Sequence, residues 1–147
     1  MTQSTPHPED LWLVYDGECP VCRSYCSMVR IRAAAGRLHL VDARQPGPLM
    51  EEITRAGMDI DQGMVLKVRD QLYYGDAAMY MITLMSTRAG WFNRLSFLFF
   101  GTRLAARIFY PAGKAFRNVL LKVLGIPYID NLRRNDVAAT VASKNTR

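Results

Sequence analysis

The junction between an apolar run and a helical pattern near the N-terminus constrains the fold most. Residues 11–15 have the length and composition of a buried strand, and Gly17 lets the chain turn before a helix pattern begins. Cys19 and Cys22, two residues apart, stand at this strand-to-helix turn. Free N–H groups and the positive dipole end of a helix favour thiolate at the first cysteine, and the second lies one turn on. The sequence therefore predicts a dithiol that can open and close a disulfide.

The helix that starts at Cys19 is expected to run to about Ala35, where Gly36 would close it. Its apolar residues recur every three or four positions, which is typical of a helix with one buried face. The apolar stripe consists of Cys22, Cys26, Val29 and Ala33, and the polar face of Arg23, Ser27 and Arg30. The pattern predicts a buried Cys22 and a more exposed Cys19, nearer the helix end.

Strand and helix patterns alternate through the following residues. We expect strands at 38–41, 64–68 and 72–74, a short helix through 53 to about 57, and a helix from Asp76 to about Thr87. Asp76 is expected to be the N-cap of the last helix. The resulting order, β-α-β-α-β-β-α, is the thioredoxin arrangement, so the predicted fold class is α/β.

Four segments are expected along the 147 residues. Residues 1–10 are predicted to be a disordered leader, 11–90 a thioredoxin-like domain, 91–132 a helical extension packed on it, and 133–147 a disordered, polar tail. The extension should form two or three helices broken at Gly101, Pro111 and Gly125-Ile126-Pro127.

Targeting signals and the number of cysteines indicate the cellular compartment in which a protein resides. The first ten residues hold no apolar run, so no signal peptide is expected. The uncharged apolar stretch at 95–102 is far too short to span a bilayer. Three cysteines in a chain without a secretion signal argue against a scaffold built on disulfides. A cytoplasmic location is the expectation.

The segment Asp16-Gly17-Glu18-Cys19-Pro20-Val21-Cys22 resembles the signature of the DCC family of thiol-disulfide oxidoreductases, named for its Asp and two Cys. The segment Tyr74-Gly75-Asp76-Ala77 is similar to a second signature, and the resemblance extends from residue 11 to about 132. It implies a thioredoxin-like fold and redox chemistry. Thioredoxins carry a cis-proline before the third strand, but Gln62-Gly63-Met64 stand here, with Gly63 expected to allow a close backbone approach to the thiols.

Distinct roles are predicted for the residues of the first motif. Cys19 should attack a disulfide and Cys22 should resolve the mixed disulfide, while Pro20 stiffens the first helical turn. Asp16 has two interpretations, both of which remain open. Its carboxylate either exchanges a proton with the dithiol or alters its pKa, or it bonds the Gly17–Cys19 backbone as a turn residue.

Cys26 lies four residues after Cys22 on the same predicted face, where a core role is expected because free cysteine packs as a small apolar side chain. One alternative is that Cys26 is a third redox thiol. Another is a zinc-binding module that uses Cys19, Cys22 and Cys26, which would need a fourth ligand from elsewhere. The dithiol interpretation requires no prosthetic group. Its partners would be disulfide-containing proteins or small molecules and an electron donor that the sequence does not name.

Positive charge is concentrated in the C-terminal half. Residues 77–129 contain seven Lys and Arg, no Asp or Glu, and many aromatic residues. This combination predicts either a surface that contacts an anionic membrane or an acidic partner, or an ordinary solvated basic face over a helical core. A non-catalytic membrane-surface protein is therefore a further alternative. Nucleic acid is not an expected partner, since no motif for it is visible.

Overall fold

The computed structural model describes residues 10–87 and 90–136. The elements in chain order are β1 (Asp10–Tyr15), α1 (Pro20–Met28), a 3-10 turn (Ala33–Ala35), β2 (Arg37–Asp42), α2 (Pro48–Arg55), β3 (Val65–Val68), β4 (Gln71–Tyr74), α3 (Asp76–Met85), α4 (Trp91–Phe100) and α5 (Arg103–Leu124). Residues 131–136 are also helical, which includes the first four residues of the predicted tail. The rest of that tail, and the predicted leader up to residue 9, lie outside the described residues.

The four strands form one sheet in the order β2-β1-β3-β4. β1 is parallel to β2 and antiparallel to β3, and β3 and β4 form a hairpin. The crossover from β1 through α1 to β2 is the βαβ unit that the sequence predicted. The predicted thioredoxin-like α/β core is therefore confirmed.

The core occupies both faces of the sheet, which explains why β1 is a nearly continuous apolar run. On one face, Leu11 and Leu13 pack with residues of α1 and α3. On the other face, Val14 packs with residues of α2 and with Ile129 from beyond α5. This two-sided burial holds the end of β1, and the turn that follows it, in a fixed position.

Helix α1 is shorter than predicted. It ends at Met28, with Val29 as its C-cap, and the expected helix to Ala35 is wrong. The backbone of residues 30–32 leaves the helix to bond the end of α3: Arg32 N–H donates to Met85 O, and Thr87 N–H donates to Arg30 O. Ala33, predicted on the buried stripe, is exposed. Pairing with a distant segment overrides the local helix preference here.

Two further helix predictions are wrong in detail. Gly75, and not Asp76, occupies the N-cap of α3, with no side-chain cap. Pro111 lies inside α5, which runs unbroken for 22 residues. A proline inside a helix removes one N–H bond and clashes with the preceding turn. Packing of α5 against α3 and α4 holds the helix together across this position.

Helix α5 returns to the start of α1. Leu121 on its buried face packs with Cys19 and Cys22. The segment after α5 is bound to the loop before β3, where the Asp61 carboxylate accepts bonds from the backbone N–H groups of Ile129 and Asp130. Helix α5 and the segment after it therefore contact the α/β core directly. Among the helices that the structure describes, none combines the length and apolar character needed to cross a bilayer.

Candidate active site

The structure brings Cys19 and Cys22 together at the N-terminus of α1. Cys19 is the N-cap residue, its sulfur accepts a bond from Cys22 N–H at 3.4 Å, and Pro20 occupies the first helical turn. The two cysteines lie 3.1 Å apart and are not joined in a disulfide. They are thus placed as a reduced dithiol that can close with little backbone movement.

The pKa values of the two thiols are shifted in opposite directions. The pKa of Cys19 is lowered to about 6, first by the hydrogen bond from the Cys22 thiol and then by Cys22 N–H and by Arg117, and these effects exceed the opposing effect of burial. The pKa of Cys22 is raised, first by its hydrogen bond to Cys19 and then by burial and the neighbouring negative charge. Near neutral pH the pair therefore holds a thiolate on Cys19 and the shared proton on Cys22.

Arg117 of α5 supplies a buried cation that the sequence interpretation missed. It is 8% exposed, and its guanidinium donates to the Asp61 carbonyl oxygen at 2.6 Å and to the Asp16 carboxylate at 3.5 Å. Its positive charge lowers the pKa values of both cysteines. Its Nε has no hydrogen-bond partner among the described residues. A sequence signal existed, since Arg117 shares a helical face with Ala106 and Leu121, and a cation on an apolar face is unusual.

Asp16 is 2% exposed and serves as a turn residue and as a partner of two arginines. Its Oδ1 accepts from Glu18 N–H at 3.0 Å and from Arg44 Nε at 2.8 Å. Its Oδ2 accepts from Arg44 at 3.2 Å and from Arg117 at 3.5 Å. The bond to Glu18 N–H is the backbone contact expected of a turn residue. Asp16 also contacts Arg117, the cation that lowers the pKa of Cys19. The carboxylate thereby holds one arginine against the thiols.

Gly17 has a packing role in addition to its place in the turn. Its N–H donates to Asp42 Oδ1 at 3.0 Å, and a Cβ at this position would lie 2.3 Å from the Asp42 carboxylate. Only glycine allows this approach. The motif loop is thereby fixed to the end of β2.

The dithiol is covered, and the prediction of a more exposed Cys19 is wrong. Cys19 is 0% exposed and Cys22 5%. Leu121 of α5 and Ile126 beyond it pack over them. Helix α5 therefore covers the N-terminus of α1, which would otherwise be open to solvent.

An apolar cavity of about 240 Å³ adjoins Cys22. Its walls come from α1, the segment before β3, α3, the end of α4 and α5. Gly63 lies in this wall, but the group that approaches it is the Tyr110 hydroxyl, which donates to Gln62 O at 3.2 Å and would lie 2.3 Å from a Cβ at Gly63. The close approach expected from the thiols is thus made by a side chain of α5.

Cys26 packs in the core, as predicted. It is 4% exposed and belongs to the cluster on the α1 and α3 face of the sheet. Burial raises its pKa to about 12, so it remains a protonated thiol near neutral pH. Within residues 10–87 and 90–136, no three His, Cys, Asp or Glu side chains converge as a set of metal ligands.

Comparison with known proteins identifies the family. The profile of the DCC1-like thiol-disulfide oxidoreductases matches residues 13–123. Neither a curated protein nor a solved structure gives a significant match. The matched segment contains the Asp16, Cys19 and Cys22 motif, and it extends through α5 to include Arg117. The match covers three quarters of the chain, including both cysteines, Asp16 and Arg117. The chain therefore belongs to the DCC1-like thiol-disulfide oxidoreductase family.

Proposed function

We propose that this protein exchanges its Cys19/Cys22 dithiol with disulfides of other molecules, with Cys19 as nucleophile and Cys22 as resolving thiol. The observation that carries the proposal is the pair itself, 3.1 Å apart at a helix N-terminus, with the pKa of Cys19 lowered and that of Cys22 raised. A thiolate beside a protonated thiol is the arrangement that the two successive displacements need.

The first displacement is an attack by the Cys19 thiolate on one sulfur of the substrate disulfide. A bond forms between Cys19 and that sulfur, the substrate S–S bond breaks, and the other sulfur leaves as a thiolate. In the second displacement Cys22 gives up its proton and attacks Cys19, which closes the 19–22 disulfide and releases the remaining substrate thiol. Two electrons pass to the substrate, and an external dithiol donor must return them.

Arg117 and Asp16 support the first displacement in different ways. The positive charge of Arg117 beside the dithiol favours the anionic form of Cys19. Asp16 acts through Arg117, because its carboxylate balances the buried guanidinium and fixes its orientation. Asp16 is therefore a positioning residue in this proposal. The exchange would run toward substrate reduction in a cytoplasmic setting, where the prevailing redox poise keeps thiols reduced.

The direct test is the linkage formed under mild oxidation. Mass spectrometry of the purified protein should find a disulfide between residues 19 and 22, reversible by dithiothreitol. The matched control is Cys26→Ala, which should form the same linkage and lower the free energy of unfolding by about 1 kcal/mol. If Cys19 and Cys22 stay unlinked while an accessible disulfide reagent is present, the proposal is refuted.

A second proposal, peripheral contact with an anionic membrane, is favoured by the outer face of α5. Large apolar side chains that are 60% to 77% exposed lie on this face at spacings of three, four and eight residues, namely Leu104, Ile108, Phe116, Val119 and Val123. Arg103, Arg107 and Lys122 are exposed on the same helix. Apolar side chains flanked by cations suit the interface of an anionic bilayer, in which each cation contributes about 1 kcal/mol.

The corresponding prediction concerns vesicle binding. The protein should co-sediment with vesicles rich in phosphatidylserine at low salt, dissociate at high salt, and ignore phosphatidylcholine vesicles. Arg103→Glu with Arg107→Glu should weaken binding by more than about tenfold. The control, Arg37→Glu with Arg55→Glu, makes the same charge change in the other half and should bind as wild type. Equal loss in both double variants, or no binding at low salt, contradicts the proposal.

A further inference from the structure

Helix α5 forms one wall of the cavity beside Cys22 and bonds the chain segment before β3. Tyr110 donates to Gln62 O and lies against Gly63, and Arg117 donates to Asp61 O. Side chains of α5 thus bond two backbone carbonyl groups that an extended polypeptide would otherwise pair with, those of Asp61 and Gln62. The space that remains beside Cys22 is about 240 Å³.

The lining of this cavity suits a small, mainly apolar guest. Val21, Tyr25, Met64 and Met79 contribute apolar walls. Arg117 also lines the cavity and is 8% exposed. Its positive charge favours a guest on which negative charge develops, as it does on the sulfur of a leaving thiolate.

We propose that the cavity is the substrate site, and that the substrates are small, mainly apolar disulfides and not the disulfides of folded proteins. This inference rests on the proposed function. Cys22 lines the cavity, and Cys19, 3.1 Å from Cys22, is fully buried. The proposal therefore requires that the Cys22 side chain rotate about its Cα–Cβ bond, so that the Cys19 sulfur meets the bound disulfide.

The chemistry in the cavity balances as in the general exchange. The Cys19 sulfur bonds one substrate sulfur, the substrate S–S bond breaks, and the other sulfur leaves as a thiolate beside the positive charge of Arg117. Cys22 then loses its proton to this thiolate and attacks Cys19, which releases the second substrate half as a thiolate that takes its proton from water. The protein loses two electrons and the small disulfide gains them.

The test compares three disulfides in single turnovers of the reduced wild-type protein: dithiodipyridine, which is small and aromatic; glutathione disulfide, which is small and highly charged; and insulin. Each rate is divided by the rate of dithiothreitol with the same disulfide, which removes differences in intrinsic reactivity. The normalised rate for dithiodipyridine should exceed that for glutathione disulfide by about tenfold and that for insulin by about a hundredfold.

A graded series at Gly113 tests the site itself. Gly113 lines the cavity, and a Cβ there would meet no atom within 4 Å. The rate with dithiodipyridine should fall progressively through Gly113→Ala, Gly113→Leu and Gly113→Phe, by about tenfold at the last. The control is Ala112→Phe, a similar enlargement at the preceding residue of the same helix, which does not line the cavity and should retain the wild-type rate.

The outcomes separate this inference from the proposed function. If insulin or glutathione disulfide reacts at the normalised rate of dithiodipyridine, or if Gly113→Phe and Ala112→Phe react equally fast, the cavity is not the substrate site. In that case a 19–22 disulfide would still form, and the proposed function would stand. If none of the three disulfides produces that linkage in the wild-type protein, the proposed function itself fails, and this inference fails with it.

Discussion

Replacing Cys19 with serine is expected to abolish disulfide reduction, with a loss of roughly a thousandfold or more, because the only thiol with a lowered pKa in the described site is removed. A serine hydroxyl is not ionised near neutral pH and does not attack a disulfide. The rate is measured as single-turnover reduction of dithiodipyridine, with Cys26→Ala as a control that should retain activity.

Cys22→Ser should have a different outcome, which identifies the order of the two displacements. Cys19 can still attack, but the mixed disulfide persists because the resolving thiol of Cys22 is gone. Mass spectrometry should therefore find an adduct on residue 19 of Cys22→Ser and none on Cys19→Ser. An adduct on residue 22 in the Cys19→Ser variant would reverse the assigned roles.

The second large effect is expected from Arg117→Met, which removes the buried cation and keeps a side chain of similar length. Loss of a cation disfavours the anion, so the pKa of Cys19 should rise from about 6 by about one unit or more. At pH 7 the thiolate fraction would fall from roughly nine-tenths to one half or less. The ultraviolet absorbance of the thiolate, followed against pH, measures the midpoint without requiring access to the buried sulfur.

Two further variants sharpen this measurement. Cys22→Ala should raise the midpoint more than Arg117→Met, because the Cys22 thiol is the largest cause of the lowering. Lys122→Met removes an exposed cation five residues along the same helix and should leave the midpoint where it is. A midpoint for Arg117→Met equal to that of the wild type would show that the guanidinium does not stabilise the thiolate. The same variant should lower the free energy of unfolding by about 1–3 kcal/mol, because the buried Asp61 carbonyl oxygen loses its donor while Asp16 keeps its bonds to Arg44.

The part of this fold that could be predicted from sequence is the part that local patterns encode. The apolar run of β1, the turn at Gly17 and the alternation of strands and helices were sufficient for the βαβ unit and hairpin, because the period of side-chain burial distinguishes strand from helix. The burial of Cys22 and Cys26 followed from the same helical period. The expectation for Cys26 holds in the structure because neighbours on one helix face share one environment.

The failures share a different cause, which is contact between segments far apart in the chain. Helix α1 ends at Met28 because residues 30–32 bond the end of α3. Cys19 is covered because α5 folds back over the helix end, and Pro111 is tolerated because α5 packs along its length. Arg117 lies at the site for the same reason, because the fold of α5 brings it to Asp16, 101 residues away in the chain. Helical periodicity shows that a cation faces inward, but it does not show which group the cation meets.

The separation between Asp16 and Arg117 has a consequence for how the reactive thiolate arises during synthesis. The two residues are 101 positions apart, and the first motif leaves the ribosome well before α5. Until α5 docks, the cysteines lack the guanidinium that favours their anion and the cover provided by Leu121. Long-range contacts of this kind form late, since closing a long loop is entropically unfavourable until other contacts compensate. The nascent chain thus carries thiols without the contribution of Arg117, and the fully activated thiolate arises in the same step that shields it from other proteins.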